Sequence, residues 1–397
     1  YVLASPFAGV WVDRLDRRQV LIAADLGAGL ATIGLLLLYT FGQLATWHLF
    51  LASALTGIFD AFQRPAYSVA ITMLLPKEHF ARASGLRSFG TNFSQIFGPI
   101  LAGALLVVLD IDGVMWLDVA TFLIAVGSLL FVRIPAPPAD PAASAAGSTA
   151  WESIRYGLNL IRSKKGLWEL LLIFTGINFF AALTYFGVLP TLVLARTGGD
   201  ELALAAVQTA LGAGGVVGGL ILSIWGGPKR KIHGLLAGAA LSFWLGDLLF
   251  ATGRSTPVWV AGAFMAAFFV PFIIGSEAAI WQAKIPPAVQ GRVLAVQDML
   301  QTAAFPLGYI LAGPLADYLF EPAMRPEGWL APTFGWLVGT GPGAGMGVMF
   351  LGTAVGGTLV SLAGYLIPAV RDVETNLPDF DQEITPAPEA ALPLEPH

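Results

Sequence analysis

The residues of this sequence best suited to chemistry are carboxylates that stand inside long apolar stretches. A charged side chain is costly in a hydrocarbon core, so an acid kept there is a candidate for binding and releasing a proton. Asp60 stands deepest, about 17 Å into its apolar stretch at a helical rise of about 1.5 Å per residue. We therefore predict that Asp60 is the proton-coupling residue; the alternative is an ion pair with Arg64, one helical turn away.

Five further acids stand nearer to the ends of such stretches, within about 9 Å at the same rise. Water at a membrane interface is sufficient to solvate acids at that depth. We therefore expect interfacial solvation, and no buried role, for Asp25, Asp118, Asp247, Glu277 and Asp298.

Other kinds of reactive site find little support. The chain has no cysteine and only four histidines, which excludes thiolate chemistry and makes a histidine-built zinc site improbable. No Gly-x-x-x-x-Gly-Lys-Ser/Thr loop is present, which argues against an ATP-driven pump. We predict no cofactor, no metal and no nucleic-acid partner.

The elements that must position these acids are membrane-spanning helices. The 397 residues are 56% hydrophobic and 12% charged, with a mean hydropathy of +0.73, which is not a soluble composition. Crossing a hydrocarbon core takes about 20 apolar residues. We predict an all-α membrane protein with a partial span at 1–12 and ten full spans at 20–41, 47–73, 84–109, 114–132, 168–195, 202–225, 235–252, 258–281, 293–320 and 346–367.

The distribution of basic residues supports this alternating topology. Of the 21 Lys and Arg residues, all but Arg196, Arg254 and Arg325 fall on one side of the membrane. Such an excess marks the cytoplasmic side. The sequence therefore predicts a multi-pass protein of the cell membrane with a cytoplasmic C-terminus.

Two segments stand apart from the spans. Residues 135–149 are rich in Pro, Ala, Ser and Gly, and 151–165 has the pattern of an amphipathic helix, so we predict a cytoplasmic linker over 133–167 whose helix lies on the inner membrane surface. Residues 372–397 hold seven acids and no Lys or Arg, so we predict a disordered cytoplasmic tail over 369–397.

An internal repeat divides the chain into two halves. An offset of 210 residues pairs Pro76 with Pro286 and Arg82 with Arg292, and it matches 100–103 onto 310–313 without a gap. Transporters are commonly built from such repeats. We predict an N-terminal bundle over 1–132 and a C-terminal bundle over 168–368; the six spans of the second imply that the first span and most of the second are missing.

The loop after the partial span carries a charged motif. Its residues Gly9, Asp13, Arg14, Arg17 and Arg18 resemble motif A of the major facilitator superfamily in spacing and in position. Glycine permits close helix approach, and the acid can accept hydrogen bonds from the facing half. A plain basic loop that orients the chain in the membrane is the alternative.

Other segments extend the resemblance over the whole chain before the tail. Gly98, Pro99 and Gly103 resemble the Gly-Pro motif of the superfamily's antiporters, with an ordinary helix kink as the alternative. Residues 57–87, 291–293 and 321–324 are similar to the macrolide-efflux and enterobactin-exporter branch. Ser53 stands where the drug antiporters carry an arginine, so the proton-relay role of that arginine does not transfer.

The resemblance implies a major facilitator fold of two six-helix bundles and proton-driven efflux of an amphipathic drug or siderophore-like metabolite. Uptake of a metabolite or lysolipid by the same fold is one alternative. A polytopic membrane enzyme is another, which the scattered acids disfavour. The expected partners are a small-molecule substrate, protons and the lipid bilayer, and the protein is expected to be monomeric and not an enzyme.

The repeat also suggests where substrate and gate lie. The predicted spans at 168–195 and 258–281 supply candidates for a substrate cavity, with helix packing or lipid contact as the alternative: Asn178, Phe179, Tyr185, Phe268 and Phe269. At the cytoplasmic side, pseudo-symmetry predicts that Asp13 faces Arg292, whereas Arg82 faces the uncharged Ser223. Closure of the inner gate should then depend on the charged pair.

Overall fold

The computed structural model describes residues 17–131 and 150–380, and within these ranges the regular elements are all helical. A helix satisfies its backbone N–H and C=O groups internally, which is why apolar segments adopt it in a membrane. The predicted all-α fold is confirmed. The helices are α1 (Arg17–Thr40), α2 (Thr46–Leu74), α3 (Phe80–Phe131), α4 (Ala150–Ser163), α5 (Leu167–Ala181), α6 (Leu189–Thr197), α7 (Glu201–Trp225), α8 (Lys231–Leu241), α9 (Leu248–Thr252), α10 (Thr256–Lys284), α11 (Gln290–Thr302), α12 (Ala304–Pro314), α13 (Glu321–Ala323), α14 (Ala331–Val338), α15 (Ala344–Leu366), α16 (Pro368–Arg371) and α17 (Val373–Asn376).

Seven helical segments among the described residues are long and apolar enough to cross a membrane. They coincide with the spans predicted at 20–41 and at all six positions from 168 onward. The other three predicted spans fall on α2 and α3. The described part of the chain is therefore a multi-pass membrane protein.

Helix α3 differs from the two spans expected at 84–109 and 114–132. It runs through 52 residues without a break, which at about 1.5 Å per residue is about 78 Å, more than twice the thickness of a hydrocarbon core. The connection at 110–113 has no proline, and the single Gly113 lowers helix propensity without ending the helix.

The 210-residue repeat reappears in the helix boundaries. Helices α2 and α10 each have 29 residues, and α10 starts and ends 210 residues after α2. Helices α3 and α11 begin at Phe80 and Gln290, again 210 residues apart. This agreement of boundaries supports the duplication inferred from the residues alone.

The two halves approach closely at one end of the helices. A methyl group at Gly85 of α3 would lie 2.8 Å from the backbone nitrogen of Ser223 in α7, and one at Gly219 would lie 2.7 Å from that of Phe89. Backbones can come this near only where no side chain intervenes. We call this end the basic face, because Lys77, Arg230 and Lys284 lie there at or next to helix ends.

The segment 151–165, expected to form an amphipathic helix, largely coincides with α4 (Ala150–Ser163). Its apolar residues Ile154, Leu158 and Ile161 pack into a cluster with residues of α5 and α11. A methyl group at Gly157 would lie 3.1 Å from Val296 Cγ2. The structure thus differs from the expected location on the membrane surface, since the apolar face of α4 is covered by protein.

Residues 368–380, which we call the C-terminal strap, also differ from expectation. They form α16, α17 and an extended end, and Val370 and Val373 are fully buried beside Leu167 and Leu170. The expected disorder of 369–397 therefore does not hold for 369–380, while 381–397 lie outside the described residues. Asp372 and Asp379 of the strap form ion pairs with basic residues outside the segment, and a count of the charges within the segment does not include those partners.

Candidate coupling and gating sites

Glu277 of α10 is buried in the C-terminal half, with only 7% of its surface exposed. Its Oε1 accepts hydrogen bonds from the side-chain amides of Gln297 and, at 2.7 Å, Gln301, both on α11. Asn178 of α5 donates a long hydrogen bond of 3.4 Å to the backbone oxygen of Gln301. Asn178, a predicted cavity residue, is therefore linked through Gln301 to a carboxylate for which interfacial solvation is expected from the sequence.

The donors around Glu277 are neutral. In the described ranges no Lys or Arg forms an ion pair with this carboxylate. A carboxylate held inside a membrane protein without a cation is an established type of proton-carrying site. Its environment permits uptake and release of a proton without breaking an ion pair.

Asp247 is the second buried carboxylate of the C-terminal half, with 0% exposure. The hydroxyl of Tyr185 donates to Oδ1, and that of Thr353 donates to Oδ2 at 2.5 Å. Tyr185 also packs edge-on against the rings of Phe250 and Phe350. Both carboxylate oxygens of Asp247 are thus bound to donors from two other segments of the bundle.

Local helix geometry aligns Tyr185 with Asp247. The helices widen to π-helical hydrogen bonding at 182–186 and at 242–247, and the two residues lie in these segments. Such widened turns re-aim side chains and recur at functional sites. The expected interfacial solvation of Asp247 and Glu277 is wrong, because distance from a helix end does not measure depth when neighbouring helices cover that end.

Asp60 and Arg64, the candidates for proton coupling in the sequence, lie on α2 in the N-terminal half. Asp60 is half-buried on α2 and Arg64 is exposed, and the ion pair between them, which is the alternative role for Asp60, is not among the ion pairs of the described residues. A polar contact between helices lies nearby instead, where the Gln63 amide donates to Asp25 Oδ1 at 2.5 Å. The N-terminal half therefore also holds an acid bound by a neutral amide.

Three of the five predicted cavity residues, Tyr185, Phe268 and Phe269, pack against three different hydrophobic clusters. Phe268 packs with the cluster of Phe80 and Leu222, whereas Phe269 packs with a different cluster. Phe179 contacts the ring of the neighbouring Phe180 edge-on, with centroids 5.6 Å apart.

A cavity of about 470 Å³ lies elsewhere, between α7 and α10. Ala210, Val260 and Phe264 contribute to its apolar lining. It offers no charged group to a substrate.

Much of motif A falls outside the described residues, which do not include Gly9, Asp13 and Arg14 or the side chain of Arg17. Arg18 is half-buried on α1. Arg292, in the first turn of α11, is only 3% exposed, and its guanidinium carbon lies 5.3 Å from the ring centroid of Tyr156 in α4. This arginine is therefore held at the basic face by the linker helix.

The symmetry-related arginine, Arg82, lies beside the end of α7. A methyl group at Gly226 would be 2.7 Å from Arg82 Nε, so the side chain reaches one turn past Ser223. The Ser223 hydroxyl donates to the Gly219 carbonyl at 2.7 Å. Arg82 thus faces the helix end near Ser223.

The antiporter-type motif lies within α3. No described atom lies within 4 Å of where a Cβ at Gly98 would stand, so this glycine makes no close helix contact in the present conformation. The side chain of Pro99 and residue Gly103 are not described beyond their helical backbone. Close approach of a glycine to a neighbouring helix is seen at Gly85 and Gly219.

Comparison with known proteins agrees with this architecture. The model of the Major Facilitator Superfamily matches residues 1–309. The chain is 27% identical over 321 residues to Macrolide efflux protein A of Streptococcus pyogenes, covering 80% of this chain and 78% of that protein. It is 26% identical over 329 residues to the multidrug efflux pump Tap of Mycolicibacterium fortuitum, covering 80% and 78% of the two chains.

Among solved structures, the human organic anion transporter MFSD10 (TETRAN) superposes with a TM-score of 0.64 at 15% identity, over 91% of this chain and 80% of that chain. The E. coli fucose:proton symporter FucP superposes with a TM-score of 0.59 at 12% identity, over 89% and 86%. At these identities the likeness is one of fold. Since the family model matches more than three quarters of the chain, this protein belongs to the major facilitator superfamily of membrane transporters.

Proposed function

We propose that this protein is a proton-coupled exporter of an amphipathic drug or siderophore-like metabolite that works by alternating access. It acts as a monomer in the cell membrane, with the basic face and the C-terminus in the cytoplasm. The positive-inside rule supports this orientation. Two relatives bear the names of efflux proteins, which supports the direction of transport.

The observation that carries the proton coupling is Glu277 and its amide donors. Glu277 stands on a helix that forms part of the seam between the halves: a methyl group at Gly275 of α10 would lie 3.5 Å from both Ala81 O and Ser84 Cβ of α3. Movement of α10 as the halves separate at the basic face would therefore also move Glu277. Asp247 is enclosed within the C-terminal half with both oxygens occupied, and we assign it a structural role.

The test is transport by the purified protein in proteoliposomes with an imposed pH gradient and a macrolide as substrate. We expect gradient-driven transport by the parent protein. Glu277→Gln keeps the shape and most hydrogen bonds of the site but cannot ionise, so it should lose at least tenfold of the gradient-driven rate while retaining exchange of substrate at equal pH. An unchanged gradient-driven rate in Glu277→Gln would contradict the assignment.

Asp60 is the candidate in the N-terminal half, and it is measured in the same assay. Asp60→Asn separates two outcomes: loss of gradient-driven transport with retained exchange places coupling there, and an unchanged pH profile makes Asp60 structural. The matched control is Glu327→Gln, whose side chain is exposed in the loop after α13. This control should not alter either rate.

The gate at the basic face includes the pair of Asp13 and Arg292. The burial of Arg292 against Tyr156 supports a fixed position for its guanidinium. A double-mutant cycle on Asp13→Asn and Arg292→Gln, with cysteine accessibility at the basic face as the measurement, should give non-additive effects. Additive effects would remove this pair from the gate.

A further inference from the structure

The C-terminal strap is anchored to the C-terminal half by three kinds of contact. Val370 and Val373 are buried in its core cluster. Asp372 Oδ1 lies 3.0 Å from a guanidinium nitrogen of Arg230. The carboxylate of Glu374 accepts hydrogen bonds of 2.9 Å from the first two backbone N–H groups of α8.

The starts of helices α8 and α5 are suited to contact with the strap. The residue before α8 is Arg230, whose side chain cannot cap the free N–H groups of a helix start, so Glu374 provides the cap from a distant segment. Gly166, before α5, has φ of +97°, and a Cβ there would clash with the carbonyl of Ala369. The strap therefore has a defined seat on this half.

The end of the strap reaches the other half. Asp379 Oδ1 lies 2.9 Å from Nζ of Lys284, the last residue of α10, and Oδ2 lies 2.8 Å from Nζ of Lys77, in the turn between α2 and α3. One carboxylate thus binds one lysine from each half. Phe380 repeats the pattern, since its N–H donates to Ala283 O at 3.1 Å and its ring centroid lies 5.0 Å from Lys77 Nζ.

Removal of Asp379 would leave two ammonium groups facing each other across the seam. Lys284 is 3% exposed and also donates to the backbone oxygens of Glu374 and Leu377, so it is fixed in place. Like charges brought this close repel each other. Asp379 therefore turns a repulsive approach of the two halves into an attractive one.

We propose that the C-terminal strap is an intramolecular latch that holds the basic face closed through Asp379 and releases Lys77 when that face opens. The strap moves with the C-terminal half, because its hydrophobic and capping contacts lie there, and only its last two described residues contact Lys77. The latch rests on the alternating access of the proposed function. It does not depend on which residue couples protons.

The first test measures how accessible the seam is from the basic face. The chain has no cysteine, so Ser84→Cys, next to the closest approach of α3 and α10, provides a single labelling site for an impermeant thiol reagent. In inside-out vesicles Asp379→Asn should increase the labelling rate about fivefold, the shift expected from losing a partly exposed ion pair of about 1 kcal/mol near a balanced equilibrium.

The matched control is Asp372→Asn, which removes an acid of the same strap whose partners, Arg230 and Arg371, do not belong to the N-terminal half. It should leave the labelling rate near that of the parent, because the buried Val370 and Val373 and the cap by Glu374 still hold the strap on its half. Lys77→Gln should raise the labelling rate less than Asp379→Asn, because it leaves no pair of like charges at the seam, and the double variant should not exceed Asp379→Asn. Equal labelling of Asp379→Asn and the parent, or equal increases in Asp379→Asn and Asp372→Asn, would overturn the latch.

A second test does not rely on a missing charge. A disulfide or short crosslink between Lys77→Cys and Asp379→Cys should stop substrate exchange, and a reductant should restore it. The same crosslink between Arg230→Cys and Asp372→Cys joins the strap to its own half and should leave exchange intact. Normal exchange by the crosslinked 77–379 protein would refute the latch. Because exchange and labelling need no proton gradient, failure of proton coupling would be recognised separately.

Discussion

Glu277 accepts a hydrogen bond from Gln297, and the residues 210 positions earlier, Tyr67 and Arg87, are also in contact. In that pair the guanidinium carbon lies 5.6 Å from the ring centroid. The equivalent helices of the two halves have therefore kept a contact at this position, although the side chains that form it differ in chemistry. One half holds an acid bound by neutral donors, and the other holds a cation on an aromatic face.

Because the contacts differ, substitutions at equivalent positions of the two halves should lower the free energy of unfolding by unequal amounts. Gln297→Leu removes a donor from a buried carboxylate and should lower the free energy of unfolding by about 1.5 to 3 kcal/mol. Arg87→Leu, at the equivalent exposed position, removes a cation–π contact and should cost less than about 1 kcal/mol. Thermal unfolding of the purified variants in one detergent checks this order. Equal losses would show that the amide does not stabilise Glu277.

The Asp247 network gives a second stability prediction. Asp247→Ala leaves the hydroxyl of the partly buried Tyr185 without its acceptor, at about 1 to 3 kcal/mol, whereas the Thr353 hydroxyl keeps the Phe350 carbonyl as an acceptor. Asp247→Asn keeps one acceptor oxygen and should cost less. Thr353→Val removes the hydroxyl and with it the need for a hydrogen-bond acceptor. We expect Asp247→Ala to unfold at the lowest temperature of the three. A smaller loss in Asp247→Ala than in Thr353→Val would contradict the structural role of this acid.

The fold could largely be predicted from the sequence alone. Hydropathy and length locate spans because a bilayer imposes a fixed thickness, and the offset of 210 residues predicts equivalent helix ends such as those of α2 and α10. The main difference, the single helix α3, arises where the predicted turn lacks a residue that forbids helix. Breaks are predictable where Pro or a turn sequence enforces them, and less so elsewhere.

The candidate sites were less predictable because their partners are distant in the chain. Tyr185 and Thr353 stand 62 and 106 residues from Asp247, and Lys77 stands 302 residues from Asp379. The residues next to these acids in the sequence do not distinguish them from acids that are exposed to water. A local signal is the presence of Gln297 and Gln301, two amides four residues apart within a predicted span, which share a helix face.

The glycine contacts between α3 and α7 predict a conformational effect. Gly219→Ala adds a methyl group 2.7 Å from the backbone nitrogen of Phe89, so the helices must separate. We expect the basic face to open and the labelling of Ser84→Cys to rise several-fold. Gly90→Ala in α3 is the control, because no described atom lies within 4 Å of its Cβ position. An equal response to both substitutions would mean that helix propensity, and not the close approach, sets the equilibrium.

The latch should have a characteristic pH dependence. Partial burial of Asp379 favours a raised pKa, but the hydrogen bonds and charges of Lys77 and Lys284 outweigh it and hold the pKa below its ordinary value of 3.8. These two lysines are the charged groups that contact Asp379 among the described residues. A depressed pKa gives stabilisation that is fully present above the ordinary value and is lost as pH falls through the lower one. The bridge should therefore persist at neutral and mildly acidic pH and fail only below about pH 4.

Spin labels at Glu78→Cys and Asn376→Cys, which are exposed on opposite sides of the bridge, can report this loss as a longer interspin distance. We expect a constant interspin distance between pH 5 and 8 and a longer distance below about pH 4. Asp379→Asn should already show the longer distance at neutral pH and little change on acidification. Asp372→Asn should behave like the parent, since its partners Arg230 and Arg371 do not join the halves. A transition between pH 6 and 8 in the parent would assign control of this face to a group other than Asp379.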